Sequence, residues 1–133
     1  MTDYIKFESW LDNLICDKNF SEVKAFNFNL YEEYTEDDAE IFTVQLIGSP
    51  LYEKDNPDWA CNAIYSSCDN VYVVEDCSDW EKCIEKFNKI IREYLLKSQY
   101  AKVFQEKIAL TFGFVDGDLE IVFDKTKDQD KTD

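Results

Sequence analysis

The spacing of apolar residues changes period three times along this 133-residue chain, and each change narrows the folds open to it. In residues 3–16, Tyr4, Phe7, Trp10, Leu11, Leu14 and Ile15 recur every three or four positions. Lys6, Glu8, Asp12 and Asn13 lie on the other side, the pattern of a helix with one buried stripe. Thr2 is placed to cap it. In residues 22–31 the period drops to two, with Phe26, Phe28 and Leu30 alternating with Asn27 and Asn29 as in a half-buried strand. Residues 41–47 repeat the pattern, with Phe42, Val44 and Leu46 against Thr43 and Gln45, and Gly48 and Pro50 close the strand. The two strands predict an antiparallel hairpin with the charged residues 35–40 at its tip.

Residues 49–61 carry no period, and short strands at 63–66 and 71–75 are expected to pair with each other through 67–70. Ser78 and Glu81 then match a capping box, in which each side chain satisfies the other's free backbone N–H. The helix that follows shows an apolar stripe of Trp80, Cys83, Ile84, Phe87, Ile91, Tyr94 and Leu95. Its outer face carries Lys82, Glu85, Lys86, Lys89 and Arg92, and a further helical turn is predicted at 99–105. Asp116-Gly117 suits a two-residue type I′ turn. That turn sets Phe114 opposite Leu119, Phe112 opposite Ile121 and Leu110 opposite Phe123, all on one face.

The expected architecture is a single α+β domain over residues 1–123. It has a mostly antiparallel sheet, the N-terminal helix and the long central helix on one face, and a C-terminal β-hairpin. Residues 124–133 contain no apolar side chain and read as a disordered tail.

Composition restricts the chemistry. Apolar residues form 45 % of the chain, with ten Phe, eight Tyr and three Trp, enough for a packed core. No apolar run approaches the roughly 18 residues of a membrane span. The acidic, amphipathic N-terminus does not resemble a signal peptide, so a cytoplasmic location is expected. Five cysteines (Cys16, Cys61, Cys68, Cys77 and Cys83) form no CxxC pair, which predicts buried free thiols rather than disulfides or a zinc knuckle. The chain has no histidine, which removes Ser-His-Asp and Cys-His nucleophile pairs and HExxH zinc sites. Without His, and with acidic neighbours, Cys61 is expected to be a poor nucleophile. Asp116, Asp118 and Glu120 lack the further ligands of a calcium loop and read as turn residues. There is no glycine-rich phosphate loop, and no cofactor or metal is expected.

Charge is distributed unevenly. Of the net −15, residues 31–81 hold −13, with fourteen Asp and Glu against Lys54 alone, while residues 82–133 are neutral. Clustered charge of one sign steers an oppositely charged partner, so a basic protein is expected, with no direct nucleic-acid or membrane binding. The candidate contacts are Glu32, Glu33, Glu36, Asp37, Asp38, Glu53, Asp55 and Asp58, with Tyr34 and Tyr52 as aromatic anchors. Trp59 and Tyr72, in the same stretch, are assigned to the core.

The segments DWAC at 58–61, SDWEKCIEKF at 78–87 and GFVDGDLEIVF at 113–123 together resemble small bacterial immunity proteins of polymorphic toxin and contact-dependent inhibition systems. The resemblance implies a cytosolic, non-catalytic inhibitor that binds a basic toxin domain, often a nuclease, and it agrees with the charge distribution. Two other classes fit parts of the pattern. A DNA-mimic inhibitor of a DNA-binding enzyme would share the charge, and a carboxylate- or metal-dependent enzyme would draw on the abundant Asp and Glu.

Overall fold

A computed structural model describes residues 3–34, 36–37, 40–53, 56–74, 77, 79–115 and 117–125. Helix α1 spans Asp3–Ile15 and is followed by strands β1, Ala25–Tyr34, and β2, Glu40–Ser49. A 3₁₀ turn at Pro57–Cys61 leads to β3, Tyr65–Ser66, and β4, Tyr72–Val74. Then come α2, Trp80–Lys97, α3, Ala101–Gln105, β5, Ala109–Phe114, and β6, Glu120–Asp124. The fold is α+β, with one mixed sheet ordered β3–β2–β1–β5–β6 and β4 also on β2.

β1 is the central strand. It runs antiparallel to β2, from Ala25↔Ser49 to Tyr34↔Glu40, and parallel to β5, from Ala25↔Ala109 to Leu30↔Phe114. The remaining pairings are antiparallel. The two-residue period sends Phe26, Phe28 and Leu30 to one face, where they meet the helices and are fully buried. Phe7 of α1 stands edge-on to Tyr72, Phe87 and Tyr94, with ring centroids 5.2–5.8 Å apart. Phe28 packs on Phe87 at 5.2 Å and Phe104 at 6.0 Å, so one ring ties the sheet to two helices. Such pairs add about 0.5–1.5 kcal/mol beyond the area they bury. Asp12 fixes α1 against the end of α2 by accepting from Tyr94 Oη at 2.6 Å and Ser98 Oγ at 2.8 Å.

The opposite face carries a polar ladder. Thr111 Oγ1 donates to Asn27 Oδ1 at 2.7 Å, Asn27 Nδ2 to Asn29 Oδ1 at 2.6 Å, and Asn29 Nδ2 to Gln45 Oε1 at 3.2 Å. Asn27 and Thr111 are buried, and each finds its partner across the strands. Trp59 closes one end of this face over Ala25 and Ala109, with Tyr52 packed beside it. Trp59 and Tyr72 are core residues, as expected.

Several sequence expectations change. The first hairpin strand is displaced from 22–31, since β1 starts at Ala25 and runs on to Tyr34, and the second is longer than 41–47, since β2 starts at Glu40 and includes Gly48 and Ser49. Gly48 continues the strand because it pairs with Phe26 and Tyr65 while a Cβ there would lie 2.9 Å from Val23 Cγ2. β3 and β4 do not pair with each other; both lie along β2. Cys68, at φ 54°, bends the chain between them, and the Ser67 N–H and Oγ hold it to Leu46. Asp79, not Ser78, caps α2, accepting from the Lys82 N–H at 2.9 Å. Ser78, Thr2 and Asp116 lie outside the described residues.

The C-terminal hairpin keeps the predicted Leu110↔Phe123 pair but slips by one beyond it, to Thr111↔Ile121 and Phe112↔Glu120. Val122 is the extra residue of a bulge and turns into the core, while Ile121 is exposed. The predicted Phe112/Ile121 and Phe114/Leu119 pairs are absent because the bulge shifts the register by one residue. Asp124 belongs to β6 rather than to the tail, paired with Ala109; residues 126–133 lie outside the described residues. Cys16, Cys61 and Cys68 are exposed, and Cys83 alone of the five thiols is fully buried, against the expectation of buried thiols.

Phe87→Ala removes the ring that joins Phe7, Phe28 and Phe112 and is expected to cost about 3–5 kcal/mol in urea unfolding. Tyr94→Phe keeps the ring and leaves Asp12 its Ser98 bond, so the loss should be nearer 1–2 kcal/mol. Burial pushes the Cys83 thiol up to about 12, from 9.0. Its folded-state pKa lies above the unfolded value, so Cys83 adds no pH dependence below pH 9 and stability is lost from there toward about 12. Between pH 9 and 10, the unfolding free energy of the native chain from urea titrations should fall more steeply than that of Cys83→Ala, by up to about 1.4 kcal/mol per pH unit. Parallel slopes would contradict this.

Candidate functional site

The helix-facing row of β1 changes character where the layer above it ends. Phe26, Phe28 and Leu30 are covered, but Glu32 and Tyr34, next in the same row, are exposed. β5 stops at Phe114 opposite Leu30, so the β1–β2 hairpin projects past its neighbour. The registers bring four elements to this end of the sheet. They are the hairpin tip, Val74 at the end of β4, the N-terminus of α2 and the β5–β6 connection.

These elements bear Glu32, Glu33, Glu36, Asp37 and Glu40 on the hairpin, Asp79 and Glu81 at the start of α2, and Asp118 and Glu120 beyond β5. All nine side chains are exposed, and none has an ion-pair partner among the described residues. Asp79 and Glu81 offset the positive end of the α2 dipole. Two large aromatics stand among the carboxylates: Tyr34 is 65 % exposed and Trp80 is 51 % exposed.

Not all sequence-predicted contacts lie here. Glu32, Glu33, Tyr34, Glu36 and Asp37 share the hairpin end, and Asp38 and Asp55 lie outside the described residues. Tyr52, Glu53 and Asp58 follow the far end of β2, about 30 Å away along the strand. Tyr52 is not a free anchor. Its ring lies edge-on to Trp59 at 5.0 Å and its hydroxyl donates to Asp124 Oδ2 at 2.6 Å. That end also carries the lysines flanking the sheet. Lys107 Nζ donates to the Phe20 carbonyl at 2.6 Å, and burial holds its ammonium below the usual lysine range. Lys125 Nζ bonds the Gln105 carbonyl, and Lys24 N–H bonds the Ser49 carbonyl at 2.7 Å. The acidic stretch 31–81 is therefore split between two ends of the molecule and is not one continuous surface.

Glu32, Trp80, Phe114, Gly117 and Asp118 line a cavity of about 240 Å³ at the acidic end. Trp80 was expected inside the α2 stripe. With Asp79 as cap it is the first helical residue, and the buried stripe begins a turn later at Cys83. Gly113 makes the Asp118 side of the cavity possible. A Cβ there would lie 2.6 Å from the Asp118 carbonyl oxygen, so the connection folds back over the end of β5.

No helix among the described residues is long and apolar enough to cross a membrane, and those residues hold no group of three metal-ligating side chains. Comparison with known protein families, characterised proteins and solved structures finds no match to this chain. Gly113→Ala should push the 117–119 segment off β5 and lower stability by about 1–3 kcal/mol. The check is urea unfolding, together with a changed Trp80 indole N–H resonance. An unchanged indole resonance would mean that Gly113 does not shape the cavity.

Proposed function

We propose that this chain is a non-catalytic, cytoplasmic inhibitor of the immunity-protein type, which docks its acidic hairpin end onto a basic protein, a nuclease-like toxin domain being the class that fits best. One observation carries the reading: the fold gathers nine exposed carboxylates without ion-pair partners, plus Tyr34 and Trp80, at one end of the sheet. Keeping such charge uncompensated costs folding free energy through self-repulsion, and a basic partner relieves it on binding. The carboxylates supply fast, salt-sensitive association, and the aromatics supply the contacts that slow dissociation.

The test is affinity capture from extract of the source cells, comparing the native chain with a variant carrying Glu33→Gln, Glu36→Gln, Asp37→Asn and Glu40→Gln. One basic protein should survive a high-salt wash on the native chain. Its association with the variant should slow about tenfold or more at low salt. Many DNA-binding proteins leaving together as salt rises would favour DNA mimicry. Equal association rates for the two chains would overturn the placement on the hairpin.

A further inference from the structure

The cavity at the acidic end has the size and the lining of a receptor for one side chain. Its 240 Å³ or so falls below the roughly 300–1,000 Å³ of sites that hold drug-sized ligands. Its lining combines two aromatic residues, Trp80 and Phe114, with two acidic ones, Glu32 and Asp118. Neither carboxylate has a cation beside it among the described residues. Phe114 is held in place by Phe42, with ring centroids 5.7 Å apart, and Phe42 pairs with Glu32 across the hairpin, so the floor and one carboxylate form one unit. The half-exposed indole offers a flat face that a planar cation can cover.

We infer that this cavity receives an arginine side chain of the partner protein. The proposal rests on the reading of the acidic end as the binding surface. Charge selects a cation, and the combination of a flat aromatic wall with carboxylates selects the guanidinium over the ammonium. A guanidinium stacks on indole and forks toward carboxylate oxygens, whereas lysine presents a compact, strongly hydrated charge. The arginine methylenes fit against Phe114 while the head group reaches Glu32 and Asp118. Trp80 is thereby a specificity-determining contact.

The probe is N-acetyl-arginine amide, titrated into the ¹⁵N-labelled chain and followed by the Trp80 indole and Gly117 amide resonances. The lysine analogue and the neutral, nearly isosteric citrulline analogue serve as controls. The proposal expects saturable shifts at both reporters with arginine, weaker ones with lysine and none that saturate with citrulline. Glu32→Gln, Asp118→Asn and Trp80→Ala should each weaken arginine binding about fivefold or more, the last read from Gly117. All three positions are on the surface, and an otherwise unchanged spectrum shows that each variant is folded. Citrulline shifts equal to those of arginine, or arginine shifts unaltered by Glu32→Gln, would overturn the assignment. If arginine leaves Trp80 unmoved while the hairpin variant still slows the captured partner, the cavity proposal fails and the acidic-end reading stands. Arginine binding with no basic partner captured would reject that reading and keep the cavity.

Discussion

The structure depends on β1 being paired along both sides while its two faces do different work. Antiparallel pairing to β2 and parallel pairing to β5 satisfy its backbone from Ala25 to Leu30. Its even-numbered side chains supply the floor on which α1, α2 and α3 pack, and its odd-numbered ones supply the polar ladder. Because β5 ends at Leu30's level and β2 does not, the last four residues of β1 extend beyond the covered sheet. The same alternation that buries Phe28 therefore presents Glu32. The candidate site is a continuation of the core row past the point where the core ends.

That geometry also sorts the charge. In the sequence, residues 31–81 form one acidic block, but β2 carries the chain back across the molecule, so Tyr52, Glu53 and Asp58 emerge at the end flanked by Lys24, Lys107 and Lys125. Meanwhile Asp79, Glu81, Asp118 and Glu120, distant in sequence, arrive beside the hairpin. The acidic end is thus assembled from three separate segments. Its potential is set by topology more than by local composition, and the exposed carboxylates form one negative pole.

Much of the fold was legible because period and packing agree. The alternation Phe26, Phe28, Leu30 and the stripe through Cys83, Phe87, Ile91 and Tyr94 place the right faces inward. What was not legible depends on contacts distant in sequence. Nothing in GFVDGDLEIVF signals that β5 lies parallel to β1, or that Val122 bulges, so the Asp-Gly turn suggested a regular hairpin that the sheet does not form. For the same reason β3 and β4 looked like partners of each other, whereas both are taken up by β2. The hairpin carboxylates could be read from the sequence, but the cavity could not. Trp80 sits in the same apolar stripe as residues that are buried, and only its place in the first turn of α2, beside Glu32, leaves it half open to solvent.

The claim that the assembled acidic end is the binding surface is tested most directly by hydrogen exchange of the chain alone and in complex with the captured basic partner. Slowed exchange should fall together on residues 32–37, 79–81 and 117–120, three segments that only the fold unites, and leave residues 52–58 unchanged. Protection confined to 52–58 and the lysine-bearing end would contradict the account.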